Sequence, residues 1–275
     1  MTPQPDTTES VGRTYERFGE AGASDALGGN IHAGYWDDDP DVPVAEATDR
    51  LTDVVAARLA PGPDARLLDV GCGTGVPAVR IATTHRSRVT GIDASERQVA
   101  EASARARRSG VGDRISFRLA DAGERLPFDD GHFDGAWAIE SLLHLTDPGA
   151  ALAEIHRVVR PDGRLVVADL CRRERSADDD EAVWDGMLRT YEIATIATPE
   201  EHRERLAASG WRVSDLSEVG ERVRPSYGHA AAAFRELADG LAPAARQEIT
   251  AAARLMESFG RHPHAGYVLI TAVRD

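Results

Sequence analysis

The chain has 275 residues, 42% of them hydrophobic, and its 46 acidic against 32 basic side chains leave a net charge of −14. That length and apolar content suit one water-soluble domain with insertions, and the acidic balance speaks against a polyanionic partner such as nucleic acid, whose phosphates need clustered cations. No apolar run approaches the roughly 20 residues that span a bilayer, residues 1–12 lack an apolar signal core, and two cysteines make neither a disulfide framework nor a metal-ligand spacing, so a cytoplasmic setting with no membrane partner is expected.

In chain order, residues 1–43 are expected to form an N-terminal helical or lid segment. Its run from Asn30 to Asp37 mixes polar and aromatic groups, and Tyr35 or Trp36 is placed either over a ligand site or in ordinary amphipathic packing. Residues 44–170 form the expected core. A buried strand over 65–70 runs into Gly71-Cys72-Gly73-Thr74-Gly75, and a helix over 76–86 follows. The glycines allow a tight turn and a close approach of backbone to ligand, while the helix start supplies free N–H donors. The spacing is D-x-G-x-G-x-G from Asp69, so the acid stands at the strand end, where it can reach a polar tail rather than a pyrophosphate. A second strand over 88–93 ends on Asp93, 22 residues after Gly71, where a ribose-binding carboxylate is expected.

The following helix, over 95–109, opens with a capping box of Ser95 and Gln98. That cap accounts for Gln98 without a ligand, although a side chain there also points towards a cofactor. Strands over 114–119 and 132–138 lead to Asp121-Ala122 and to Ile139-Glu140-Ser141-Leu142-Leu143-His144. Asp147-Pro148 starts a helix to residue 160, Pro161-Asp162-Gly163 turns, and a fifth strand over 164–170 carries Asp169. Residues 171–210 read as a charged loop and a helical cap, either a lid over the cleft or a packing helix. Residues 211–275 supply strands over 211–219 and 266–273 with helices over 226–240 and 243–259 between them. This alternation predicts an α/β fold with a seven-stranded, mostly parallel sheet flanked by helices.

With that glycine loop and the spaced acid, the chain resembles the class I S-adenosylmethionine (SAM) methyltransferases. The resemblance implies a Rossmann-like core and SAM as cofactor, with S-adenosylhomocysteine (SAH) as product. It places the cofactor on Asp69, Gly71, Cys72, Gly73, Gly75, Asp93, Gln98, Asp121, Ala122, Glu140 and Tyr35, with Asp121 at the adenine amino group. His144, near the methyl donor, suits a general base for an attacking hydroxyl, which contributes typically 10²–10⁴-fold in rate. Asp169, on the same sheet edge, would orient it as a dyad partner. The structural alternatives are a histidine packed among Leu142, Leu143 and Leu145, and an aspartate that caps a loop. His32 is a second candidate base.

The segments Asn30 to Trp36, Ala47 to Asp53, Pro77 to Arg80, Glu140 to Leu142, Val158 to Gly163 and Ala265 to Ile270 are similar to the actinomycete natural-product methyltransferases, the group of the rebeccamycin sugar O-methyltransferase. There two adjacent histidines and an aspartate surround the acceptor hydroxyl. Here they fall on Leu143, His144 and Asp169, so one base stands where the relative has two. The resemblance implies methylation of a hydroxyl on a small bacterial secondary metabolite, a glycosylated one foremost. Transfer to carbon or nitrogen, and a non-methylating cyclase that keeps SAM as a structural ligand, are the alternatives. No metal is expected, and the oligomeric state is left open between monomer and homodimer. All 32 bases are arginine, which excludes lysine-based mechanisms. Neither cysteine follows a proline and no Asn/Asp-Pro-Pro-Tyr occurs, which excludes two nucleobase-methylating patterns.

Overall fold

The computed structural model describes residues 29–37, 39, 41–175 and 181–275; most of the expected N-terminal segment, residues 1–28, lies outside them. Helix α1 (Val44–Leu59) precedes the sheet. Strands and helices then alternate through β1 (Arg66–Val70), α2 (Val76–His85), β2 (Arg88–Asp93), α3 (Glu96–Arg108), β3 (Ile115–Leu119), β4 (Phe133–Ile139), α4 (Pro148–Val158) and β5 (Val159–Arg172). The chain continues with α5 (Glu181–Thr190), α6 (Pro199–Ala208), β6 (Trp211–Glu218), a single turn at Gly220–Val223, α7 (Pro225–Asp239), α8 (Pro243–Arg261) and β7 (Ala265–Arg274).

The seven strands lie in the order β3-β2-β1-β4-β5-β7-β6. Pairings among β1 to β5 are parallel, and β7 runs antiparallel between β5 and β6. Both faces are covered, which is why strands such as Leu67-Leu68-Asp69-Val70 are buried at every position. Adjacent residues serve opposite layers. Leu67, Trp137 and Val166 pack under α1 and α2 with Leu51, Val55 and Ile81, whereas Leu68, Ala138 and Val167 meet Leu152, Ile155 and Leu206 of α4 and α6. Each such aliphatic side chain contributes about 1.5–3 kcal/mol by leaving water. The order reverses between β1 and β4, and a crevice opens there beyond the strands' carboxyl ends.

Three local readings change. The stretch 181–210 is two helices, because the chain breaks after Thr190 and restarts at Pro199 behind a full capping box of Thr198 and Glu201. Helix α5 packs on α8, with Trp184 edge-on to Phe259 at 5.4 Å. The turn at Pro161–Gly163 is a bulge within a longer strand, for the register steps from Phe133↔Val159 to Gly135↔Arg164 and Asp162 has φ of 61°. At the start of α3, Ser95 Oγ accepts from Gln98 N–H at 3.3 Å, but the N–H of Ser95 donates to Asp93 rather than to Gln98.

Candidate cofactor and acceptor site

A cavity of about 360 Å³ fills the crevice at the switch point. Its floor is the glycine loop. The N–H groups of Gly71 and Cys72 both donate to Ile92 O at 2.9 Å, and Gly73 N–H donates to Asp93 Oδ2 at 2.9 Å. Gly71 has φ of 71°, and a Cβ there would come within 2.4 Å of Ser141 Cβ, so no other residue fits. Gly75, with φ of 76°, packs α2 against α3, where its Cβ would lie 2.8 Å from Ala102 Cβ. It does not line the cavity, unlike the other loop positions Gly71, Cys72 and Gly73.

Four carboxyls or amides chosen from the sequence meet at this wall: Asp69, Asp93, Gln98 and Asp121, together with Ala122. Asp69 is 3% exposed, its Oδ2 has no hydrogen-bond partner, and burial followed by the charge of Asp93 pushes its pKa well above the usual range. Gln98 Oε1 is likewise buried without a partner, because the cap that would occupy it is supplied by Asp93. Asp93 bridges the loops, taking Gly73 N–H on one oxygen and Ser95 N–H on the other, and those bonds oppose the upward push of its burial. Asp121 Oδ1 accepts Gly123 N–H at 2.8 Å and so shapes its own loop. The Cys72 thiol is pushed up by burial and by both aspartates, which keeps it protonated and inert.

Across the cavity, Glu140 follows directly on β4 with φ of 47° and lines the wall. Glu140 Oε1 accepts from Ala33 N–H at 2.8 Å and from Tyr267 Oη–H at 3.0 Å, and burial raises its pKa to about 7. The turn Leu142–His144 follows, and His144 lines the cavity. His144 Nδ1 lies 3.1 Å from Glu192 O, an acceptor, so the proton belongs on Nδ1 and Nε2 is the lone-pair nitrogen. Burial lowers its pKa and keeps the ring neutral near pH 7.

Asp169 departs from the expected dyad. It is 1% exposed, does not line the cavity, and takes the N–H groups of Leu170 and Leu143. A main-chain carbonyl orients His144 Nδ1, while Asp169 holds the turn that carries the ring. Burial and the charge of Glu140 push Asp169 well above the usual carboxylate range. Leu143 is buried in the core beneath the turn, its carbonyl accepting from Ala194 N–H at 2.9 Å.

Tyr35 also departs from expectation: it packs against the core outside the cavity, with its N–H on Ala47 O. The three residues before it, Asn30, Ile31 and His32, line the wall instead. Burial lowers His32 to about 4, and its Nδ1 lies 2.8 Å from Ala33 O. None of the described residues of 171–210 lines the cavity; Trp184 of α5 packs on Phe259 of α8 instead.

The comparisons with known proteins meet this geometry. A family described as "Methyltransferase domain" matches residues 68–167, which hold the glycine loop, Asp93, Asp121 and His144. The chain is 37% identical to the 27-O-demethylrifamycin SV methyltransferase of Amycolatopsis mediterranei, over 97% of either chain. It is 36% identical to the O-methyltransferase cnsE of Penicillium expansum, over 100% of this chain and 95% of that one. The chain belongs to the SAM-dependent methyltransferases. Among solved structures, the [4+2]-cyclase SpnF superposes on this methyltransferase with a TM-score of 0.84 at 34% identity, covering 99% of this chain and 98% of that one.

SAM is therefore the cofactor of this methyltransferase, and the residues present fit it. The glycine cradle leaves backbone free to approach, and the buried, unpartnered acceptors of Asp69 and Gln98 await polar donors. Among the described residues no group of three or more His, Cys, Asp or Glu side chains is placed to hold a metal ion, and no helix is long and apolar enough to cross a membrane. Within the run expected to fold over the site, Asn30 and Ile31 line the cavity in place of the aromatic residues. The signal was their place beside His32 in a polar run before α1.

Proposed function

We propose that this enzyme methylates a hydroxyl of a small secondary metabolite, with His144 as the general base. The observation that carries the reading is the neutral His144 ring in the cavity wall, fixed through Nδ1 so that Nε2 is the nitrogen able to take a proton. Relatives named O-methyltransferases support oxygen as the acceptor atom, and a glycosylated metabolite remains the first acceptor class to screen.

When bound, SAM supplies a methyl group already activated by its positive sulfonium. The protein contributes alignment, water exclusion and proton removal. Asp69 and Gln98 would receive the polar donors of the cofactor, Asp93 and Asp121 would hold its ribose and adenine ends, and Ile31 lines the wall beside the glycine loop. His144 Nε2 would take the proton of the acceptor hydroxyl, and the Glu192 carbonyl would stabilise the charge that develops on the ring.

A mass-resolved screen of hydroxylated and glycosylated metabolites tests this, since methyl transfer adds about 14 Da and fragmentation locates the atom. In the same assay His144→Ala is expected to lower kcat by about 10²–10⁴-fold with SAM affinity retained. Unchanged turnover removes His144 from the role, and SAM binding without any gain in mass favours the cyclase alternative.

A further inference from the structure

The N-terminal strap of residues 30–36 is tied to the body by two kinds of bond. Its far end is held by ordinary contacts: Tyr35 N–H on Ala47 O at 2.8 Å, Trp36 N–H on Arg222 O at 2.9 Å, and the Trp36 ring stacked on His229 at 5.4 Å. Gly34 N–H donates to Ser226 Oγ at 2.9 Å. The part that covers the cavity is anchored to α1, where Asn30 Nδ2 donates to Thr48 Oγ1 at 2.9 Å, and it also touches the cavity wall itself. Ile31 Cδ1 reaches to 3.2 Å from where a Cβ on Gly73 would stand, so the strap presses on the glycine loop itself. Just beyond it, Ala33 N–H donates to the carboxylate of Glu140, 107 residues away in sequence and part of the cavity wall. A ligand on the loop meets Ile31, and the Glu140–Ala33 bond ties the next stretch of the strap to the cavity wall.

The strength of that bond depends on the charge of Glu140, because an ionised carboxylate accepts a hydrogen bond about twice as strongly as a neutral group. Burial works against ionisation, and neither the Asp169 carboxyl facing it from β5 nor the Tyr227 hydroxyl from α7 brings positive charge, whereas the Ala33 N–H and the Tyr267 hydroxyl from β7 donate to the carboxylate and partly offset the burial. The histidines of the same cavity, His32 and His144, are held neutral by burial, and Asp69 and Asp93 add no positive charge. A cationic ligand in the cavity is what stabilises the carboxylate.

We propose that Glu140 is a specificity-determining residue that reads the charge of the ligand: it holds the strap closed over the cationic sulfonium donor and slackens it over the neutral thioether product. This rests on the methyl-donor reading of the cavity. Donor and product differ there by one methyl group and one positive charge, so a charge-sensitive latch retains the first and releases the second without any separate signal. The free carboxyl titrates at about 7, so near neutral pH the donor captures it in the ionised form and the product does not.

Calorimetry with SAM and with SAH from pH 6 to 8.5 tests the proposal on the intact chain. The sulfonium lowers the pKa of the α-amino group of SAM relative to SAH, so the Glu140→Gln variant supplies the baseline against which the wild-type ratio is read. The ratio of SAM to SAH affinity is expected to rise roughly tenfold from pH 6 to pH 8 in the wild type. The rise is measured relative to Glu140→Gln, which keeps an oxygen for Ala33 and Tyr267 but cannot ionise and is expected to lack it. Hydrogen exchange of the Ala33 amide should be several-fold slower with SAM than with SAH at equal saturation, and Glu140→Gln should erase that difference. A wild-type ratio that follows the same pH dependence as Glu140→Gln while both ligands bind overturns the latch. Failure of either ligand to bind at any pH overturns the donor site on which it rests.

Discussion

Asp93 shows how one side chain can shape a site and still be available to a ligand. Its two oxygens tie Gly73 to Ser95, so the glycine loop, the strand end and the cap of α3 move as one unit. Gly71 is the complementary case, where the absence of a side chain is the function. Gly71→Ala places a methyl 2.4 Å from Ser141 Cβ on a backbone with φ of 71°. The substitution is expected to cost about 1–3 kcal/mol of stability and to abolish detectable SAM binding, checked by thermal unfolding and by calorimetry on the folded fraction. Retained SAM affinity would show that the loop has room to shift. Asp69, Gly71 and Asp93 were legible from sequence because spacing along a strand, loop and strand fixes where they stand. Tyr35 and Asp169 were not, because their direction is set by Ala47 and by the Leu142–His144 turn, contacts distant in sequence.

At the scale of elements, the seven strands could be read within a few residues because their apolar runs sit between turn residues and helices with marked starts. What pattern could not reveal is which neighbour a helix face meets. The apolar stripe of α5 suits a lid as well as it suits a core, and only the structure shows Trp184 against Phe259 and His262 with the Arg172 guanidinium 4.8 Å over its ring. Trp184→Ala follows from that placement. Removing a side chain that is 3% exposed should destabilise the fold by about 3–5 kcal/mol, seen as a lowered denaturation midpoint. SAM affinity of the folded protein should be unchanged, since no described residue of α5 lines the cavity. A loss of affinity out of proportion to the loss of stability would restore α5 to the role of a lid.

For the whole molecule, the buried ionisable groups set an unusual balance with pH. His32 and His202 are lowered to about 4, and His144 and His156 are lowered as well. The unfolded chain therefore binds protons that the folded one refuses below about pH 6.5, and stability rises with pH across that range. Glu140, raised to about 7, works the other way, as do Asp69 and Asp169. Their folded-state protons are lost as pH climbs, so the stability they contribute is full at low pH and falls as pH passes through their raised values, by up to about 1.4 kcal/mol per pH unit for each titrating group. Carboxylates paired with arginine, such as Asp134, Glu154 and Asp215, are lowered and stay ionised throughout, so they add no slope here. The two opposed sets predict that the unliganded enzyme is most stable near pH 6.5 and weaker on either side, measured by chemical denaturation from pH 5 to 8.5. SAM should move that maximum towards alkaline pH, because a cation in the cavity keeps Glu140 ionised without penalty. A stability that rises steadily to pH 8.5 in the absence of ligand would mean that the buried carboxyls are ionised in the folded protein, and that the positive charge of the donor is not what they lack.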